Sequence, residues 1–326
     1  MRNRKNVKKV VYFVAVLILV IVFLISGLQV LESTVFSSEP TQEEFESKTI
    51  TRNGVEYFPR QDITVMLVMG IDQEGPVADS GYNRNRGAAD LVMLLIFDKK
   101  NEDISILYLN RDTMVEMPML GLGNKPAGTT YGQLALSHGY GSGLEDSCEN
   151  TKKTVSEFLY GIQIDYYLSM NMDAVSILND AVGGVPVVVE DDFSQVDPSI
   201  TMGPMILRGE QAINFVRTRK NVGDQLNLSR IERQKAYIDG FVESFRAAMD
   251  TDPNFIGTVY EQVAPYLVSD CSVNTVSGMI SRYQDYEIRQ IVTPEGENVL
   301  GNEYYEFYAD EEALDELILQ LFYAPK

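Results

Sequence analysis

The sequence predicts an α/β fold: a three-layer αβα sandwich with a central mixed β-sheet, preceded by one transmembrane helix. Three observations lead to this prediction. Short apolar runs end at glycine or polar residues, amphipathic segments of helical period lie between them, and one long apolar run stands near the N-terminus. Strands that alternate with helices favour helices packed on a sheet, and a hairpin among the strands predicts a mixed rather than purely parallel sheet.

The first 30 residues predict a membrane anchor. Residues 1–9 carry five positive charges and no acid, and residues 10–30 form an almost uninterrupted apolar run. About 20 apolar residues span a bilayer, and the positively charged flank stays in the cytoplasm. We therefore expect a single-pass protein of the cell membrane with a cytoplasmic tail (1–9), a transmembrane anchor (10–30) and an extracellular remainder. A cleaved signal peptide is the alternative, although Ser26-Gly27 matches a cleavage site poorly.

The extracellular part begins with a polar, acidic stretch, 31–60, which predicts a stalk. The remaining residues, 61–326, show no internal repeat and no low-complexity break, so one large domain is favoured over two small ones. Cys148 and Cys271 are the only cysteines. A disulfide between them is favoured in an exported domain, and two buried thiols are the alternative. A zinc site is disfavoured because neither has a third cysteine nearby.

The predicted elements follow from hydrophobic period and breakers. Residues 91–97 and 104–109 are separated by a short polar stretch, which predicts an antiparallel hairpin. Asn150 is a candidate N-cap of one helix, and Asp310 opens a last amphipathic helix. The predicted strands are 63–69, 91–97, 104–109, 166–170, 185–189 and 286–292, and the segment 172–182 is a predicted helix.

Polar side chains stand at the ends of three predicted strands. Asp72 follows the first, Asp90 precedes the second, and Asn110-Arg111-Asp112 closes the third. The hairpin places Asp90, Arg111 and Asp112 at the same end of the sheet, where ligands gather in such folds. Carboxylates together with phosphate oxygens are the usual ligands of Mg²⁺. The alternative is a structural Asp-Arg salt bridge at a loop.

Four arginines and a lysine lie between Arg217 and Gln234 in a chain of net charge -20. The overall negative field disfavours nucleic acid, so a local basic cluster indicates a site for a compact anion. Arginine binds phosphate with a planar, bidentate fork. Arg230, Arg233 and Gln234 share one face of a predicted helix, near its N-terminus, where an anion is also favoured. A solvated helix face with surface salt bridges is the alternative.

The motifs that the sequence lacks, and its one histidine, disfavour several classes of enzyme. The chain has no Gly-x-Ser-x-Gly, Walker or His-Glu-x-x-His motif, which disfavours nucleophilic hydrolases and nucleotide-binding proteins. Its one histidine, His138, lies in a glycine-rich loop, and support of a turn is favoured over a catalytic role.

The motifs in order resemble the LytR-CpsA-Psr family. They are Gly70-Ile-Asp72, Gly87-Ala-Ala-Asp90, Asn110-Arg111-Asp112, Gly183-Gly-Val185, Leu207-Arg-Gly-Glu-Gln-Ala212 and Arg217-Thr-Arg219 with Arg230-Ile-Glu-Arg233-Gln234. The resemblance covers about 63–245 and implies a catalytic domain over 61–326 with a C-terminal extension. Such proteins resemble envelope phosphotransferases of Gram-positive bacteria. They move a glycopolymer phosphate, as in teichoic acid or capsular polysaccharide attachment, from a polyprenyl-pyrophosphate lipid to cell-wall peptidoglycan.

The resemblance also implies roles for residues. Asp72 and Asp90 would bind Mg²⁺, with Mn²⁺ as a substitute, and Asp112 or Asp90 would take a proton from the acceptor hydroxyl. Gln234 would contact the head group, and an apolar channel would hold the lipid. By the same resemblance, the residues that would bind the pyrophosphate are Arg111, Arg217, Arg219, Arg230 and Arg233.

One departure from the family pattern leaves alternatives open. The family commonly has an arginine just before the aspartate of the second motif, where this chain has Ala88-Ala89, and Arg84 or Arg86 are the nearby candidates to replace it. Hydrolysis of the lipid carrier by a pyrophosphatase is one alternative function. A non-catalytic envelope-binding or regulatory protein is the other.

Overall fold

The computed structural model describes residues 49–79, 87–121, 125–218, 220–223, 227–252, 255–272, 275, 278–279, 282–283, 286–301 and 304–325. The predicted tail and membrane anchor (1–30), Arg84, Arg86 and Arg219 lie outside these residues. Among the described residues, no helix combines the length and the hydropathy that a membrane crossing requires.

The chain forms two compact units, and each is described by itself. The sheet unit consists of the described residues of Val35–Asn171, Leu267–Cys271 and Tyr286–Lys326. The helical unit consists of the described residues of Met172–Tyr266 and Ser272–Asp285. The domain bounds inferred from the sequence stay a prediction.

The elements carry the following bounds. The strands are β1 (Ile50–Arg52), β2 (Val55–Pro59), β3 (Ile63–Ile71), β4 (Ala89–Asp98), β5 (Asp103–Leu109), β6 (Met114–Leu120), β7 (Pro126–Gln133), β8 (Tyr166–Asn171), β9 (Val185–Val189), β10 (Gly203–Leu207), β11 (Leu267–Ser269), β12 (Glu287–Val292), β13 (Gly296–Leu300), β14 (Tyr305–Ala309) and β15 (Tyr323–Pro325). The α-helices are α1 (Glu145–Phe158), α2 (Asp173–Ala181), α3 (Glu210–Arg217), α4 (Asn227–Thr251), α5 (Phe255–Val263) and α6 (Glu311–Phe322). Leu134–Tyr140 and Ala264–Tyr266 are 3₁₀ helices.

A six-stranded sheet in the order β11-β8-β3-β4-β5-β12 organises the sheet unit. β3, β4 and β5 are antiparallel neighbours, whereas β8 pairs parallel with β3 and β12 pairs parallel with β5. Continuous apolar sequences in β3 and β4 suit strands that are buried on both faces. The predicted mixed sheet and the predicted hairpin of the second and third strands are confirmed.

One face of this sheet packs against α1 and α6 in a single apolar core that includes Leu67, Leu94, Val155 and Ile318. Asp310 caps α6, since its side chain accepts a hydrogen bond from the Ala313 N–H at 2.8 Å, as predicted. The predicted N-cap at Asn150 is wrong. α1 begins at Glu145, and the buried Asn150 amide instead donates to carbonyls on other segments of the unit.

The C-terminal end of the predicted stalk is part of a sheet. β1 and β2 form a hairpin, and β2 pairs antiparallel with the last strand, β15. The sequence pattern of 50–59 is polar because this small sheet exposes much of its surface. The hydrophobic period therefore carried little signal for these two strands.

Both cysteines are free and buried, so the predicted disulfide between Cys148 and Cys271 is wrong. Burial raises the pKa of the Cys148 thiol well above its ordinary value, and it raises the pKa of Cys271 to about 12. The two thiols behave as small apolar side chains of the sheet unit.

The helical unit contains the hairpin of β9 and β10, with α4 packed against β9. Gly240 on α4 makes the close approach possible, because a Cβ atom at this position would clash with the carbonyl oxygen of Pro186. Phe241 and Phe245 on the same helix are buried and stack on each other, with ring centroids 5.9 Å apart.

Candidate active site

Three charged side chains meet at one end of the β3-β4-β5 sheet. The Arg111 guanidinium pairs with the Asp90 carboxylate, and its Nε lies 3.4 Å from Asp112 Oδ1. The turn that presents them is held locally, since the Asn110 side chain accepts the Asp112 N–H at 3.0 Å and the Asn110 carbonyl accepts the Thr113 N–H at 3.0 Å. All three charged groups are partly buried, which strengthens their electrostatic interactions. The juxtaposition predicted from the hairpin is confirmed.

Asp90 lies in a β-bulge of β4. Gly70 pairs with Leu91 and the next residue, Ile71, pairs with Ala89, so Asp90 is the additional residue on β4. A bulge turns its extra residue out of the regular alternation of the strand, and bulges are frequent beside active sites. Asp72 lies close to this point along the backbone, because its N–H donates to the Ala88 carbonyl at 2.9 Å. Ala89, which stands where the family arginine was expected, is fully buried in the core.

His138 supports the loop that leads into β4. Its Nδ1 lies 2.8 Å from the carbonyl oxygen of Gly87, a residue with φ of 81°. Since a carbonyl only accepts, we assign the proton to Nδ1, which leaves Nε2 facing Cys148 Sγ at 3.9 Å. Burial lowers the pKa of His138 to about 4. A neutral, buried imidazole fits the predicted role in supporting a turn.

The carboxylates at this end of the sheet suit a hard cation that takes part of its coordination from a substrate. Within the described ranges, no group of three or more His, Cys, Asp or Glu side chains is arranged to hold a metal. Mg²⁺ needs no such cage, since it is commonly bound by one or two carboxylates together with substrate phosphates and waters. Asp72 and Asp90 therefore fit Mg²⁺ better than a metal that requires a complete protein site.

In the helical unit, Arg233 holds the end of α3. Its Nε donates to the Phe215 carbonyl at 3.0 Å, Nη1 to Asp191 Oδ2 at 2.5 Å, and Nη2 to the Thr218 carbonyl. The guanidinium carbon also lies 5.5 Å from the ring centroid of Phe193. Arg233 is therefore a buried residue whose nitrogens are all engaged by this unit.

Gln234 also contacts the C-terminal end of α3, because its Nε2 donates to the Val216 carbonyl at 3.1 Å. Two neighbouring side chains of α4 thus bind the last carbonyls of α3, and Arg217 is the exposed residue at that end. Arg230 on α4 is buried. Arg219 lies outside the described residues.

The structure thus gathers the predicted residues into two sets: Asp90, Arg111 and Asp112 in the sheet unit, and Arg217, Arg233 and Gln234 in the helical unit. Sequence analysis missed Asp191, although the three acidic residues directly after the apolar β9 were a usable signal. It also missed Gln133, whose Nε2 donates to Asp112 Oδ1 at 3.2 Å. No sequence pattern distinguishes this glutamine from others.

The chain is similar to known proteins over most of its length. A model described as the LytR_cpsA_psr family matches residues 26–322. The polyisoprenyl-teichoic acid–peptidoglycan teichoic acid transferase TagU of Halalkalibacterium halodurans is 28% identical over 256 residues, which cover 77% of this chain and 76% of that protein. TagV of Bacillus subtilis, named as the same kind of transferase, is 28% identical over 255 residues, and the chain spans only 59% of its length.

The fold is shared with solved structures. The crystal structure of Bacillus subtilis TagV superposes with a TM-score of 0.58 at 23% identity, over 80% of this chain and 96% of that chain. A likeness at this level of identity establishes the mixed α/β architecture with a central mixed sheet.

Proposed function

The chain belongs to the LytR_cpsA_psr family, and we propose that it transfers a glycopolymer phosphate from a polyprenyl-pyrophosphate lipid to cell-wall peptidoglycan. The names of the relatives, which are teichoic acid transferases, support this class of reaction. The proposed place is the outer surface of the cell membrane, with 10–30 as the single-pass anchor and the N-terminus in the cytoplasm. A three-layer domain with an apolar channel for the lipid belongs to the same proposal.

The observation that carries the proposal is the cluster of Arg111, Asp90 and Asp112 where the strands end. Phosphoryl transfer needs positioning and charge stabilisation more than covalent help from the enzyme. A guanidinium that two carboxylates hold in place is pre-oriented to bind a phosphate group. We assign Arg111 to the pyrophosphate, and Asp112 or Asp90 to the proton of the acceptor hydroxyl.

Asp72 and Asp90 would hold Mg²⁺, for which Mn²⁺ is the expected substitute. When bound, the cation would supply positive charge to the phosphate oxygens. In the helical unit, Arg217, Arg219 and Arg230 are the proposed pyrophosphate contacts. The observed hydrogen bonds of Arg233 and Gln234 to the end of α3 support a role in positioning Arg217. This role is in addition to the pyrophosphate contact of Arg233 and the head-group contact of Gln234 that the family resemblance implies.

The test uses full-length protein in detergent, a polyprenyl-pyrophosphate oligosaccharide and cell-wall fragments, with Mg²⁺ or with a chelator. We expect Mg²⁺-dependent linkage of the oligosaccharide to the wall, and we expect Arg111→Ala to lower its rate about 100-fold or more. Arg289→Ala is the matched control, because Arg289 is an exposed arginine of the same sheet unit. Full activity in Arg111→Ala would refute the proposed site.

The products also separate this function from its two alternatives. Free oligosaccharide phosphate with no wall-linked product would indicate a pyrophosphatase. Binding of the lipid with no turnover in either buffer would indicate a non-catalytic envelope-binding or regulatory protein. Either result would replace the proposed transfer reaction.

A further inference from the structure

Two hairpins of the sheet unit carry exposed tyrosines beside the candidate site. The first hairpin is β6-β7 and the second is β13-β14. The exposed fractions are 61% for Tyr131, 69% for Tyr304, 59% for Tyr305 and 37% for Tyr308. Tyr131 shares a face of its hairpin with Glu116, and Tyr308 shares a face with Glu306, whereas Tyr305 is on the opposite face of β14, with Phe307. We call Tyr131 and Tyr308 the tyrosine surface. Aromatic residues grouped in this way on a protein surface commonly mark a binding site.

The two hairpins that carry the tyrosine surface are connected to Asp112 by hydrogen bonds. Gln133 Nε2, at the end of β7, donates both to Asp112 Oδ1 at 3.2 Å and to the Tyr305 carbonyl at 2.8 Å. The Phe307 N–H donates to the Asp112 carbonyl at 2.9 Å, and Thr113 forms a parallel bridge with Phe307. A ligand that covers the two hairpins would therefore reach the proposed proton acceptor.

A neighbouring carboxylate orients the Tyr308 side chain. The Tyr308 hydroxyl donates to Glu306 Oε2 at 2.6 Å. That hydrogen bond, and with it the nearby phenol of Tyr131, raises the pKa of Tyr308. The parallel bridge of Thr113 with Phe307 places β14 beside β6, so Tyr131 and Tyr308 project from the same side of neighbouring strands.

The negative charge of the two hairpins favours an uncharged ligand. Their four strands contain Glu116, Glu297 and Glu306 and no lysine or arginine, and the nearest cation along the chain is Lys125, just before β7. Carboxylates repel a phosphate-rich polymer, so the charged donor is disfavoured here. An uncharged sugar polymer meets no such repulsion. Sugar rings also present polarised C–H groups, which the negative face of an aromatic ring attracts.

We propose that the tyrosine surface binds the acceptor as an uncharged glycan strand, stacks its sugar rings on the tyrosines, and delivers its hydroxyl towards Asp112. This assignment rests on the proposed transfer reaction and adds the acceptor subsite to it. The donor and the acceptor are then sorted by charge within the sheet unit, with the phosphate on Arg111 and the neutral glycan on the tyrosines.

The direct test measures binding of a soluble tetramer of β-1,4-linked N-acetylglucosamine to full-length protein in detergent. We expect Tyr131→Ala and Tyr308→Ala each to weaken binding about tenfold, and the corresponding Phe variants to retain most of it because the ring remains. Tyr160→Ala is the matched control, since Tyr160 is an exposed tyrosine elsewhere in the sheet unit. Thermal unfolding of each variant identifies any loss of fold.

The outcomes distinguish the two proposals. Unchanged glycan binding in the Ala variants, or no binding by the wild-type protein, would overturn the tyrosine surface. Stronger binding of inorganic polyphosphate than of the glycan at these tyrosines would overturn the charge argument. Glycan binding that depends on the tyrosines, in a protein that transfers nothing, would refute the transfer reaction and leave the surface in place. If both hold, the Ala variants also raise the KM for wall fragments.

Discussion

Arg111 and Arg233 use the same functional group in different ways. Arg111 is held by carboxylates at a partly buried strand end, so an incoming phosphate can compete with them for its nitrogens. Arg233 is buried and bonded to two backbone carbonyls and Asp191, so replacing those contacts would expose the end of α3. A motif that contains several arginines therefore combines residues that support the backbone with residues that can meet a ligand.

The buried His138 makes the stability of the protein depend on pH. Its folded-state pKa of about 4 lies below the ordinary value of 6.5. As the pH falls, the unfolded chain takes up a proton near pH 6.5 and the folded protein does not until about pH 4. Stability is therefore lost on acidification, by about 2 kcal/mol between pH 7 and pH 5.

The measurement is denaturant unfolding at several pH values for the wild type and for His138→Gln. Carboxylates affect both proteins alike, so the difference between their free energies of unfolding isolates the histidine. We expect that difference to shrink by about 2 kcal/mol from pH 7 to pH 5. A constant difference would mean that His138 takes up its proton at the same pH in the folded and the unfolded protein.

At the scale of elements, the contact of α4 with β9 depends on one glycine. Gly240→Ala would place a methyl group against the Pro186 carbonyl, so we expect the helix to be displaced and the free energy of unfolding to fall by about 2 kcal/mol. At Gly278 the same change meets no atom of the described residues within 4 Å and should be neutral or stabilising. Equal stability of the two variants, measured by thermal unfolding, would contradict this packing.

The elements differ in how well their sequences predicted them. β3, β4 and β5 are apolar runs with clear breakers, so their pairing and the meeting of Asp90 with Arg111 followed from local pattern alone. The hairpins β6-β7 and β13-β14 are largely exposed and have no such period, so their signal was weak. Asn150 resembled an N-cap by composition, yet its amide serves tertiary contacts that no local rule contains.

At the scale of the whole molecule, we expect both cysteines to be reduced and shielded from solvent. The chain has two cysteines, and both are buried and free. We predict that a thiol-reactive dye labels neither residue in the folded protein and labels both after unfolding without a reductant, because only the exposed thiolate reacts. Labelling of unfolded protein only after reduction would indicate a disulfide.

The order of the strands also has a consequence for how the chain is made. In the central sheet, β8 is joined on its outer side by β11, and β5 by β12, and both partners come late in the sequence. A chain that emerges from its N-terminus first therefore carries two open strand edges until about residue 292 has appeared. Open edges pair readily with other chains, so the nascent protein needs protection from aggregation for most of its synthesis.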